Sequence, residues 1–312
     1  MGSHNLAYQI DSAIQQAFRP GADKYSAKHT GENMHIVFSY NEKNSLQQVA
    51  YEFKGFMREN HPDIKLIKEV KADHWQGFLN LKSQSCSTAT LKNYVSRIGK
   101  LQILCQNKFK FKCDWKDGIL APSSQKTPDN AKQRVQVMDK EDLIKVLAYG
   151  RSHCTSKAVS AIDICYRFGL RDAEAARLKV KDVDLQKGTL HVIGKGGRHR
   201  TLPIRQEDRQ ILEKLCKGKN VGDSLFDIKA ASINQQLNRI LKKLGLKSKY
   251  PLTSIHAIRK LKAQELWDQK AKTGCTKKEA MNYVSQYLGH GKGRYDILNT
   301  YVHNQHLKND KD

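Results

Sequence analysis

Thr189-Leu190-His191-Val192-Ile193, Gly194-Lys195-Gly196-Gly197 and Arg200-Thr201-Leu202-Pro203-Ile204 lie in close succession in the second half of the chain. Two short runs rich in β-branched and aliphatic residues flank a glycine turn, the pattern of a β-hairpin. On either side the apolar residues recur at helical spacing instead. Before the hairpin, Asp139 stands as an N-cap ahead of Leu143, Val146 and Leu147; further helices are expected near 157–168 and from Asp172 to Lys179. After it, helical patterning covers about 207–217, 230–244, 254–269 and 277–288. One hairpin among helices predicts a mainly α fold with a small β-sheet, of the α+β class.

Toward the N-terminus the pattern is purely helical. Leu6, Ile10, Ile14 and Phe18 make one stripe, suited to a packing helix or an extra arm. The polar, glycine-containing stretch Pro20–Asn33 reads as a loop. Helical spacing returns from Asn44, with Asn44 or Ser45 as cap and Leu46, Val49, Phe53, Phe56 and Met57 inside. Two more helices are expected over about 71–83 and 88–107. Residues 114–137 hold Gly118, Pro122, Ser123, Ser124 and Pro128 with little apolar periodicity, which marks a linker. The expected organisation is an N-terminal helix and loop (1–43), a helical domain (44–115), a basic linker (116–137) and a second domain (138–312).

The chain has 312 residues, 55 of them Lys or Arg against 31 Asp or Glu, for a net charge of +24. Such a surplus repels itself unless a polyanion is the partner, and nucleic acid is the leading candidate. Hydrophobic residues at 39% are enough for real cores, so a wholly disordered chain is excluded. No apolar run reaches the length of a membrane span, and no signal-peptide core precedes the polar break at Gln9 and Asp11. The seven cysteines, Cys86, Cys105, Cys113, Cys154, Cys165, Cys216 and Cys275, form no CxxC pair. That pattern fits a reducing cytoplasm rather than a zinc site or disulfide framework.

Four separated pieces carry candidate chemistry. Gly169-Leu170-Arg171-Asp172-Ala173-Glu174 puts an Arg at a helix start, where guanidinium and orphan N–H groups suit a phosphate, with Glu174 placed to hold it. Taken alone, it is an ordinary surface ion pair. Lys195, at the hairpin tip, is a mobile proton donor or simply a solvated basic turn residue. No GxxxxGK[ST] phosphate loop is present. His256 and Arg259 share a helix face and can converge on one phosphate. Leu288-Gly289-His290 precedes Tyr301-Val302-His303, and a Tyr is a nucleophile only where cations assist it.

In this order and spacing the four pieces resemble the tyrosine recombinase family, the phage integrases and Xer-type recombinases. The resemblance covers about 139–303 for a catalytic domain and, more weakly, 44–112 for a helical core-binding domain. The family's GLRxxE matches Arg171 and Glu174, its hairpin GKGxKxRxxP matches Lys195, and its HxxR matches His256 and Arg259. Its LGH matches His290, and its YTH-like sequence matches Tyr301. Two departures stand out. Lys260 follows the second Arg where the family usually has His, and the interval from His290 to Tyr301 is longer by two, which makes Tyr295 a competing nucleophile.

The resemblance implies a two-domain DNA clamp that cuts and rejoins duplex DNA through a 3′-phosphotyrosine. Arg171, Arg259, His256 and His290 would surround the scissile phosphate, Tyr301 would attack, and Lys195 would protonate the leaving 5′-oxygen. Glu174 would stand behind them, with no cofactor and no metal. It further implies a homotetramer acting on two DNA sites in the cytoplasm, with an accessory directionality factor as a further partner. Integration or excision of a mobile element is the expected role. The alternatives are Xer-like dimer resolution, a type IB topoisomerase, and a DNA-binding relative without activity.

Overall fold

The computed structural model describes residues 5–125, 136–291, 293 and 301–302, apart from the Tyr25 side chain. The chain forms two compact units, Met1–Ala131 and Lys132–Asp312.

The first unit is helical: α1 (Leu6–Ala17), α2 (Lys24–His29), α3 (Tyr40–Asn60), α4 (Ala72–Ser83) and α5 (Thr88–Phe109). Side-chain caps open α1, α3 and α5, Asn5 accepting from the Tyr8 N–H, Ser39 from Glu42 and Ser87 from Thr90. The cap at Ser39 starts α3 earlier than the expected Asn44 or Ser45, because its first turn is polar and shows no apolar period. Helix α2 lies inside the stretch read as a loop; six residues are too few to display a stripe. The Leu6, Ile10 and Ile14 face of α1 is buried against α3 and α5. At the centre Phe53 stacks on Trp75, with ring centroids 3.5 Å apart and planes 12° from parallel. Burial of each such ring contributes about 1.5–3 kcal/mol.

The front of the expected linker packs on this unit. Trp115 is fully buried and donates its indole N–H to the Val70 carbonyl at 2.8 Å, and Ile119 is buried in the same core. Leu120 N–H reaches Gln76 Oε1 at 2.9 Å. One buried Trp and one Ile without a repeat give no periodic signal, which is why the sequence reads as linker here. Residues 126–135 lie outside the described set.

The second unit holds α6 (Lys140–His153), α7 (Lys157–Phe168), α8 (Asp172–Arg177), β1 (Val183–Asp184), β2 (Thr189–Ile193) and β3 (His199–Pro203). Then come α9 (Gln206–Cys216), α10 (Ala230–Lys243), α11 (Ile255–Ala271) and α12 (Lys277–Tyr287). Helix α7 packs against α6, α8, α10 and α11, and its buried residues anchor the core. The hairpin is present as expected, and β1 adds a third antiparallel strand in the order β1-β2-β3. Val192 pairs with Arg200 and Ile193 with His199. Strand alternation therefore places Arg200 on the inward side with the buried Leu202. Asp139 stands at the start of α6, but its carboxylate pairs with Lys249 at 2.6 Å instead of capping the helix.

Candidate active site

Helix α7 ends at Phe168, and Gly169 reverses the chain in the left-handed region at φ +59°. A side chain there would also meet Leu288 Cδ2 at 3.0 Å. The tight turn delivers Arg171 to the N-terminus of α8. Its backbone N–H donates to Glu174 Oε2 at 2.9 Å and its Nη1 to Glu174 Oε1 at 2.7 Å. Glu174 is buried, and Arg200 from β3 grips it with both Nη groups, at 3.0 and 2.7 Å. Arg259 Nη1 lies 3.6 Å from the same carboxylate. Burial by itself would raise the Glu174 carboxyl, but the Arg200 hydrogen bonds and charge, the Arg259 charge and the Arg171 N–H hold it at about 2.

Arg259, on the first turn and a half of α11, is 0% exposed. Its Nη1 and Nη2 donate to the carbonyls of Gly169 and Leu288. Its Nε is buried and has no acceptor among the described residues. Burial and the neighbouring Arg171 charge lower it to about 10, which still leaves it cationic at neutral pH. Leu288 follows α12, and the next two residues bring His290 to within 3.4 Å of Arg259 Nη2.

Tyr301 closes the arrangement at 3% exposure. Its ring sits edge-on to His256 and His290, with centroids 5.0 and 5.1 Å away, and Arg259 Cζ lies 5.9 Å from its centroid. Its hydroxyl is 3.5 Å from His256 Nδ1. Burial, then the Arg259 charge, lower His256 to about 4 and His290 to about 3. Both imidazoles are therefore neutral at neutral pH. Among the described residues, three guanidiniums face the Glu174 carboxylate, an excess of two positive charges over it.

Of the residues singled out from sequence, Arg171, Glu174, His256, Arg259, His290 and Tyr301 come together. Lys195 does not join them: it is exposed in the turn Lys195–Gly197 and makes no hydrogen bond or ion pair among the described residues. Tyr295 lies outside the described residues. Lys260, the departure after Arg259, is buried, and burial lowers its ammonium. Sequence reasoning passed over Arg200. The signal was its place two residues from Leu202, on the inward side of a strand, where a charge needs a buried partner. Gly289, at φ +72°, makes room for it, since a side chain there would stand 2.8 Å from Arg200 Nη1.

A model of the phage integrase family matches residues 133–307. The tyrosine recombinase XerA of Saccharolobus solfataricus is 31% identical over 120 residues, which are 38% of this chain and 40% of that protein. The tyrosine recombinase XerC of Pseudomonas putida is 23% identical over 209 residues, 64% of this chain and 67% of that one. Among solved structures, the XerH site-specific recombinase bound to difH substrate in a pre-cleavage complex superposes with a TM-score of 0.63 at 18% identity. That match covers 96% of this chain and 92% of the other. A lambda integrase dimer bound to a COC′ core site gives 0.62 at 13% identity, covering 93% and 96%. At these identities the superpositions establish the fold, two helical units with a small sheet in the second. The family match extends over more than half of the sequence, and the chain belongs to the phage integrase family, the family of the tyrosine recombinases.

Proposed function

We propose that this protein cuts and rejoins duplex DNA through a covalent bond between Tyr301 and a 3′-phosphate. The observation that carries the proposal is the Tyr301 side chain held between two neutral imidazoles and over Arg259, beside three guanidiniums that outnumber the Glu174 carboxylate. A phosphodiester carries one negative charge and the pentacoordinate state formed by attack carries two, so the cluster favours the latter. Among the described residues Arg259 Nε has no acceptor, and a phosphate oxygen admitted to the site would supply one.

In the proposed reaction the Tyr301 oxygen forms a bond to phosphorus as the phosphorus–O5′ bond breaks. His256 Nδ1, 3.5 Å from the hydroxyl, takes its proton, and Lys195 gives one to the departing O5′. The phosphotyrosine conserves the bond energy, so a 5′-hydroxyl from a second duplex reverses the step without ATP. Duplex DNA is the proposed partner of both units, and the surplus of 24 positive charges supports it. We propose action on two sites by a tetramer; a lambda integrase tetramer bound to a Holliday junction is a structural relative at TM-score 0.59. Integration and excision of a mobile element is the proposed role, and it rests on the family match. Dimer resolution would use the same chemistry on other sites.

The test is a nicked suicide duplex carrying DNA from either side of the gene, resolved on denaturing gels. A covalent protein–DNA band is expected from the wild type and is expected to vanish in Tyr301→Phe. No band on any flanking duplex would favour a DNA-binding relative without activity.

A further inference from the structure

The side chains of Arg171 and His256 sit at the N-termini of two different helices, α8 and α11, that do not follow one another in the chain. One side chain from a third helix ties those two ends together. Asn234, on the first turns of α10, donates its Nδ2 to Asp172 Oδ2 at 2.6 Å and accepts the Ile255 N–H on Oδ1 at 2.8 Å. Asp172 is the first residue of α8, next to Arg171, and Ile255 is the first of α11, next to His256. Asp172 is itself fixed, because its Oδ1 accepts the Ala173 N–H at 2.7 Å. At the other end Ser254 Oγ accepts the His256 N–H at 3.3 Å. One turn along α10, Asn238 Nδ2 donates to the Asn234 carbonyl at 2.9 Å and to the Thr253 carbonyl at 3.4 Å. A small cavity of about 120 Å³ lies between the ends, lined by Arg171, Asp172, Asn234, Ser254, Ile255 and His256.

We infer that Asn234 is a positioning residue for strand cleavage, setting the separation of Arg171 and His256 through its two hydrogen bonds. This inference rests on the proposed phosphotyrosine chemistry. An amide is needed because one bond asks for a donor and the other for an acceptor. A carboxylate would accept from Ile255 but would face Asp172 with a like charge. Protonated, the same carboxyl would donate to Asp172 and restore both bonds.

The experiment measures single-turnover cleavage and equilibrium DNA binding for the full chain, as wild type, Asn234→Ala and Asn234→Asp. Asn234→Ala is expected to cleave about tenfold to a hundredfold more slowly, with DNA affinity within about twofold of wild type, since its amide is engaged by Asp172 and Ile255. Asn234→Asp is expected to be comparably slow at pH ~8 and to recover relative to wild type as the pH falls to ~5.5, as the introduced carboxyl takes up a proton. The NMR signals of the His256 ring nitrogens are expected to shift in Asn234→Ala while those of His290 stay in place. Wild-type cleavage by Asn234→Ala, a rate loss matched by equal loss of affinity, or no pH-dependent recovery in Asn234→Asp overturns the inference. If Asn234→Ala fails to fold, the Asn234→Asp pH profile decides. Failure of the wild type to form any covalent adduct sinks the functional reading, and the His256 signals then still report whether Asn234 positions that ring.

Discussion

Glu174 is one carboxylate shared by three guanidiniums, and Arg200 holds it with two hydrogen bonds. Removing one member of a buried pair costs more than the pair itself gains, because the survivor keeps its desolvation cost. Arg200→Ala is therefore expected to lower the unfolding free energy by about 3 kcal/mol in urea titrations. The loss should shrink in a Glu174→Gln background, where Arg200 has no carboxylate to leave under-paired. Equal losses in both backgrounds would remove the ion pair as the cause.

The two imidazoles make a second claim at the same scale. His256 and His290 titrate near 6.5 when unfolded and are lowered to about 4 and 3 in the folded chain. As the pH falls from above 6.5 toward 4, the unfolded chain takes up protons that the folded chain refuses, so stability is lost across that window. Glu174, lowered to about 2 by its partners, adds a loss that begins below its ordinary value of 4.5. The urea midpoint is expected to drop between pH ~7.5 and ~4.5. That drop should be smaller in a His256→Asn, His290→Asn double variant, and an unchanged drop would place the linkage elsewhere.

At the scale of elements, the hairpin separates two duties. Strand β3 carries Arg200 inward to Glu174, while the tip carries Lys195 outward, in a turn where Gly196 and Gly197 have φ of +75° and +73°. A long cation on an exposed glycine turn is free to reach a DNA strand. The expected outcome for Lys195→Ala is slow cleavage of an ordinary duplex and near-wild-type cleavage when the leaving 5′-oxygen is replaced by sulfur, which departs without a proton. Slow cleavage of both would assign Lys195 to binding alone. Elements also show where sequence is hard to read. The hairpin and the long helices follow from period-two and period-four patterns that need no tertiary information. Helix α2 and the packed stretch around Trp115 and Ile119 are too short or irregular to have a period. Arg171, Glu174, His256, Arg259, His290 and Tyr301 were legible because their spacing matches a family pattern. Arg200 and Asn234 were not, because each acts through partners in other elements, Glu174 in one case and Asp172 and Ile255 in the other.

At the scale of the whole molecule, the net charge of +24 pointed to a polyanion but could not say which cations do chemistry. Among the described residues, burial and pairing distinguish the cations of the proposed site from one another. Arg259 is fully enclosed, Arg200 and Arg171 are anchored on Glu174, and Lys195 is exposed. In the proposed complex, exposed basic residues elsewhere on the chain supply a screened, salt-sensitive attraction for duplex phosphates. The central claim is that this charge gathers DNA for attack by one tyrosine. The most direct test locates the DNA on the trapped adduct. Trypsin cutting after Arg294 and Lys308 releases one peptide that contains both Tyr295 and Tyr301, and nuclease trimming leaves the linked nucleotide for fragmentation by mass spectrometry. The account predicts the phosphate on Tyr301. A phosphate on Tyr295, or on a peptide from elsewhere in the chain, would contradict it.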